Sequence, residues 1–199
     1  MEPNEPLNQG EPQAEPAHRA SHWGELRGWV RDLLIASGLA LVIIVFLYQP
    51  VKVEGTSMTP LLNDQERIFI NKFIYKYEPI QRGDVVVFWY PRDRNKSFIK
   101  RVIALPGETV EIRSGRVLVE DHLIDEPYVP PQYADSGSFG PVRVRQGEYF
   151  LLGDHRSSSN DSRVFGAVPE ELIYGKAVFA YWPMERFGSI PAYAAEPKK

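Results

Sequence analysis

Of the 199 residues, 43% are hydrophobic and 25% charged, and the mean hydropathy is −0.31, which argues against both a fully disordered chain and a polytopic membrane protein. A net charge of −3 provides no general attraction to nucleic acid, so none is expected as a partner. The absence of cysteine excludes disulfides, thiolate metal sites and a cysteine nucleophile.

The chain opens with Pro3, Pro6, Pro12 and Pro16 interleaved with Glu2, Glu5, Glu11 and Glu15. With so little to bury, residues 1–28 are expected to form a disordered tail. His18 and His22 stand four apart, but in so polar a stretch they read as solvated side chains rather than a metal pair. From Leu33 to Tyr48 run 16 residues without a charge. At about 1.5 Å per helical residue they span roughly 24 Å, short of a hydrocarbon core of roughly 30 Å. Starting at Trp29 makes up the length, because Arg31 can snorkel and Trp29 and Tyr48 suit the two interfaces. A buried core helix should carry a polar stripe, which this run lacks. A cleaved signal peptide needs a small-x-small site after the run, and Gln49 to Glu54 offer none. A transmembrane anchor over 29–48 is therefore predicted. Arg19, Arg27 and Arg31 precede it and only Lys52 closely follows, which places the N-terminus in the cytoplasm.

Beyond Pro50 come short runs rich in Val, Ile, Phe and Tyr, over 66–70, 84–89, 97–105, 109–113, 116–119, 148–152 and 172–182. Turn residues punctuate them at Arg82-Gly83-Asp84, Pro106-Gly107 and Ser114-Gly115, with a loop from Pro127 to Pro141. The body is predicted to be mainly antiparallel β.

Three segments of the body could do chemistry. Gly55-Thr56-Ser57-Met58-Thr59-Pro60 can present a hydroxyl on a rigid bend, although such residues cluster in ordinary turns too. Lys100 lies in Ser97–Ile103, where alternation puts Phe98, Lys100 and Val102 on one face and Ile99, Arg101 and Ile103 on the other. An amine among apolar residues loses its preference for the charged form and can serve a serine hydroxyl as general base. A snorkelling edge-strand lysine would look the same in the sequence. Gly153-Asp154-His155-Arg156-Ser157-Ser158-Ser159-Asn160-Asp161-Ser162-Arg163 packs hydroxyls, carboxylates and guanidiniums into eleven residues, as either a supporting network or a polar surface loop.

Together, in this order and behind this anchor, these segments resemble the type I signal peptidases, the membrane-anchored Ser-Lys endopeptidases of the bacterial export pathway. The matching stretches are 55–62 (GTSMTPLL), 82–88 (RGDVVVF), 98–112 (FIKRVIALPGETVEI) and 153–168. The resemblance implies a fold of two antiparallel β-sheets with an apolar surface that meets the membrane, within an extracytoplasmic domain over 49–188. It implies Ser57 as nucleophile and Lys100 as general base, 43 residues apart. Ser159 matches a hydroxyl that helps orient the lysine, Asp161 and Arg163 a supporting ion pair, and Asp154 and Arg156 structural positions. Met58 lines the site. Gly55 replaces a serine whose hydroxyl serves the oxyanion hole in the best-studied branch, so a serine there is expected to be tolerated. His155 reads as a surface loop residue. Implied partners are preproteins bearing signal peptides, the lipid bilayer of the cell membrane and, by proximity, the export translocon; no metal or cofactor is expected.

Two rivals remain. A soluble Ser-Lys autoprotease of the repressor-cleaving kind is opposed by the anchor and by Pro106-Gly107 after the lysine strand. A tethered β module with a decayed site is opposed by the intact Ser57 and Lys100. Residues 189–199 are expected to be a second disordered tail, in which Ala192-Tyr193-Ala194 forms a small-x-small pattern with no apolar run before it.

Overall fold

The computed structural model describes residues 22–193. The predicted tail over 1–21 and residues 194–199 lie outside the described residues. The N-terminal element is a helix, α1 (His22–Leu47). It begins seven residues before the expected anchor and takes in the last residues of the predicted tail. Of its described side chains, Leu33, Leu34, Ile35, Leu39, Leu41 and Val42 are all more than half exposed. The same portion carries Glu25, Arg27, Arg31 and Asp32, the last two joined side by side at 3.0 Å. Among the described residues no helix is long and apolar enough to cross a membrane. The segment expected as a transmembrane anchor is met as a helix over 29–47. Tyr48, its expected last residue, opens the first strand instead.

The body consists of β1 (Tyr48–Lys52), β2 (Arg67–Asn71), β3 (Val85–Tyr90), β4 (Asp93–Ala104), β5 (Thr109–Arg113), β6 (Arg116–Val119), β7 (His122–Leu123), β8 (Phe139–Arg143), β9 (Glu148–Leu152), a short α2 (Ser162–Phe165), β10 (Val168–Pro169), β11 (Ile173–Trp182) and β12 (Gly188–Ser189). They form the two predicted antiparallel sheets. The larger runs β1-β2-β11-β3-β4-β9-β10 with β12 on β11, and the smaller runs β7-β6-β5-β8.

The larger sheet is covered on both faces, which is why β3 reads as a continuous apolar run rather than an alternating one. Val85 and Val87 pack with Met58, Leu62, Ile68 and Ile70, while Val86 and Phe88 pack with Val102, Leu151 and Val168. A third cluster joins the sheets through Ile103, Val110, Ile112, Val117, Phe150 and Leu152. The alternation read along 97–103 holds, with Phe98 and Val102 in one cluster and Ile99 in another.

Five strands, β1, β7, β8, β10 and β12, were not read from the sequence, and the longer two, β1 and β8, share a cause. β8 begins inside the predicted loop from Pro127 to Pro141 and runs on to Arg143, an exposed edge carrying Gly140-Pro141; β1 is also an edge and contains Pro50. Proline cannot donate to a ladder, so it signals loops in a sequence and is tolerated in sheets at edges. The expected C-terminal tail is corrected over 189–193. Ser189 pairs with Phe179 in β12, the Ile190 N–H donates to Val178 O at 3.0 Å, and the Tyr193 ring stacks on Tyr128 with centroids 5.4 Å apart. Backbone pairing and this ring contact hold residues 189–193 on the body, while Ala194, the last residue of the small-x-small pattern, lies outside the described residues.

Candidate active site

The 55–60 turn is fixed from below. After β1, the Val53 N–H donates to Glu66 O at 2.7 Å and the Gln65 N–H returns to Val53 O at 2.9 Å, closing a loop whose waist is stitched shut. The Gly55 N–H donates to Asp64 Oδ1 at 2.8 Å. Met58 is 2% exposed among Val53, Leu62 and Val85, so the neighbouring Ser57 is turned out of the core into a cleft of about 250 Å³. Val51, Val53, Met58, Val87, Phe98 and Ile99 supply its apolar lining, with Ser57 and Lys100 at its base.

Gly55 has φ +92°, in the region that disfavours a side chain, although the space beside it is open. The expectation that serine is tolerated there is therefore corrected. Gly55→Ser is expected to cost about 1 to 2 kcal/mol through backbone strain, read as a lowered Tm.

Lys100 arrives from β4, an interior strand between β3 and β9, and its residual exposure is 4%. Its Nζ lies 2.7 Å from Ser57 Oγ and 2.9 Å from Ile99 O, with the Phe98 ring 5.4 Å away. Burial lowers its pKa from 10.5 to about 8, against the opposing pull of Asp161 and then Asp154. With one N–H on Ile99 O, the neutral amine has its lone pair free to accept the Ser57 O–H proton. Sequence separation of 43 residues has become contact.

The 153–163 loop supports both groups. Asp154 and Arg101, each fully buried, form a two-point ion pair with N–O distances of 2.9 and 2.7 Å. Arg101 also donates to Gly83 O at 2.8 Å and lies 4.1 Å from the Tyr128 ring centroid. It directly follows Lys100, so the ion pair ties the lysine strand to the loop. The His155 N–H donates to Ser57 O at 3.1 Å, and its imidazole Nδ1 lies 3.2 Å from Thr56 O. Asp161 caps α2 and receives Arg163 Nε at 2.9 Å and Nη2 at 2.8 Å, as well as the Gly153 N–H at 3.2 Å. Arg163 continues to Asp135 Oδ2 at 3.0 Å, and Arg156 is held by both oxygens of Glu126.

Gly153 is the point of closest approach. A methyl group there would overlap the Ser57 carbonyl oxygen and the Ser159 side chain. Gly153→Ala is expected to displace the serine turn and lower kcat about 100-fold or more in a preprotein-processing assay, since a shift of about 1 Å in a reacting group is worth that much.

The structure brings Ser57, Lys100, Met58, Gly55, Asp161 and Arg163 into one region. It does not bring Ser159 to the lysine by a hydrogen bond. The two hydrogen bonds of Lys100 go to Ser57 and Ile99, while Ser159 Oγ is buried with no partner, packed against Gly153. His155, expected on the surface, is applied to the serine turn. Three supporting acids and bases were not singled out in the sequence: Arg101, Glu126 and Asp135. A signal existed for Arg101, because a cation alternating onto an apolar strand face needs a buried acid. None existed for Glu126 and Asp135, which fall in what reads as an ordinary polar connection.

A buried lysine amine on a serine hydroxyl, in an apolar-lined cleft of a two-sheet β body, is an arrangement suited to a serine peptidase. The family described as signal peptidase, peptidase S26, matches residues 26–182. The probable signal peptidase I-1 of Synechocystis sp. is 36% identical over 188 residues, covering 90% of this chain and 94% of its own. Signal peptidase I of Bacillus licheniformis is 37% identical over 164 residues, covering 78% of this chain and 88% of its own. The crystal structure of a signal peptidase I from Enterococcus faecalis V583, 32% identical, covers 50% of this chain and 97% of its own at a TM-score of 0.44. The chain belongs to the signal peptidase family, peptidase S26.

Proposed function

We propose that this chain is a membrane-anchored serine endopeptidase that removes N-terminal signal peptides from exported preproteins, with Ser57 as nucleophile and Lys100 as general base. The observation that carries the assignment is the 2.7 Å contact between a buried Lys100 amine and Ser57 Oγ. As Oγ attacks the scissile carbonyl carbon, the neutral amine takes the hydroxyl proton. The oxyanion is met by the Ser57 N–H, which donates to no protein group among the described residues. The ammonium gives its proton to the leaving amine as the peptide bond breaks, leaving the signal peptide as an ester on Oγ. The same amine deprotonates the water that attacks this ester, then returns the proton to Oγ as the acid departs.

The apolar part of the cleft's lining, which includes Val87, Ile99 and Met58, supports cleavage after small-x-small sequences, whose side chains are small and apolar. Asp161 and Arg163 act by holding the 153–163 loop beneath the serine turn. Anchoring through 29–48 rests on the uncharged run Leu33–Tyr48 and on the basic residues that precede it, which set the N-terminus inside and the peptidase domain outside. Exposed Trp182, Met184 and Phe187 at the β11–β12 connection support apposition of the body to lipid.

The test is Ser57→Ala in detergent-solubilised full-length enzyme, followed by gel separation of precursor from mature product. No mature product is expected, with the thermal melt unchanged; processing at the wild-type rate would sink the assignment.

A further inference from the structure

His155 holds the serine turn at two consecutive carbonyls. Its backbone N–H donates to Ser57 O at 3.1 Å, and Nδ1 of its ring lies 3.2 Å from Thr56 O. A carbonyl oxygen can only accept, so the proton is on Nδ1. The ring also packs edge-to-face with Tyr133, with centroids 4.8 Å apart at 76°. Tyr133 comes from the connection between β7 and β8, in the smaller sheet. The ring therefore contacts both that connection and the serine turn.

The peptide joining Thr56 to Ser57 is planar, and in a trans peptide its C=O and N–H point in opposite directions. Fixing the Thr56 carbonyl thus fixes the direction of the Ser57 N–H. That N–H is the donor assigned above to the oxyanion. Within the turn the Thr59 N–H also donates to Thr56 O at 3.1 Å, so the His155 ring adds a second hold on that carbonyl, from outside the turn.

We propose that the His155 imidazole is a positioning residue that orients the Ser57 amide toward the developing oxyanion, with Tyr133 holding the ring in place. The inference rests on the reading of Ser57 as nucleophile. It does not depend on the charge of the ring, because Nδ1–H donates in both the neutral and the protonated form. Its signature falls on the transition state rather than on substrate binding.

Steady-state kinetics on a preprotein, with His155→Asn, His155→Gln, His155→Phe and Tyr133→Ala, tests it. Asparagine places an amide N–H where Nδ1 stands, so kcat is expected within about threefold of wild type. Glutamine carries the same amide one carbon too far, and phenylalanine keeps the ring against Tyr133 without a donor. Each is expected to lower kcat about 10- to 100-fold, with KM within about threefold and the acid limb of the rate profile unmoved. Tyr133→Ala should fall between. Equal rates for asparagine and glutamine, a wild-type kcat for phenylalanine, a loss confined to KM, or a shifted acid limb would each overturn the proposal. Ser57→Ala in the same series separates the two readings. If it processes preprotein, the nucleophile is wrong; if it is inactive while the His155 variants behave as wild type, only the positioning role is lost.

Discussion

Lys100→Met is expected to abolish preprotein processing between about pH 6 and pH 10, whereas the wild-type rate falls about tenfold for each pH unit below about 8. The reason lies in where the amine sits. Desolvation on burial is the largest influence on Lys100 and brings its pKa down to about 8, although Asp161 and Asp154 favour the charged form. Only the neutral amine can accept the Ser57 proton, so near pH 6 about one site in a hundred is competent. A rate profile flat down to pH 6 would contradict a lysine base. The same shift affects stability with a definite sign. Between about pH 8 and 10.5 the unfolded chain holds the Lys100 proton and the folded chain does not, so folding stability rises with pH there. Below pH 8 both states are protonated and the full penalty of the buried ammonium applies, about 3 kcal/mol. Lys100→Met is therefore expected to melt at a higher temperature than wild type at neutral pH while being inactive. Thermal melts at about pH 7 and pH 10 would show the gap narrowing at the higher value.

Asp154→Ala is expected to cost about 3 to 5 kcal/mol, because it strands the Arg101 guanidinium in a site with no exposure to water. For a body of this size that corresponds to a fall in Tm of roughly 6 to 20 °C. Replacing both partners with apolar residues, Arg101→Met with Asp154→Leu, removes the stranded charge and should recover much of the lost stability. It should not recover processing. The pair is the link between the strand that carries Lys100 and the loop that carries Gly153 and His155, and an apolar contact does not fix that geometry. Melting curves and processing rates on the same three variants check both halves. A double variant that regained full activity would show that the ion pair stabilises the fold without positioning the site.

What the chain discloses by itself depends on distance along it. The strands over 109–113, 116–119 and 148–152 were legible to the residue, since each carries its β-branched and aromatic residues between turn signals. Edge strands β1 and β8 were hidden by their prolines. The N-terminal run read as an anchor through its lack of charge. The helix over 22–47 bears out its helical character, while crossing a bilayer is a property of its surroundings and not of backbone conformation. Pooled averages were least informative: all three units of net negative charge lie in residues 1–50, and the body carries 20 acidic and 20 basic residues. A neutral body has little long-range repulsion from an anionic membrane.

The sequence alone pointed to Ser57 and Lys100 through the order of four motifs and the family they resemble, since a small turn and a cation in an apolar strand read singly as ordinary features too. It also determined the two-sheet body, through strand periodicity and turns. Tertiary structure decided the rest. It chose Arg101 as the partner of Asp154 across 53 residues, and it removed Ser159 from the lysine's hydrogen bonds. It made Gly153 obligatory by packing against the Ser57 carbonyl, and it set the partly exposed His155 against the serine turn. These are contacts between segments that sequence spacing does not relate. Side-chain directions at a crossing depend on how two elements meet in space, which no local pattern encodes.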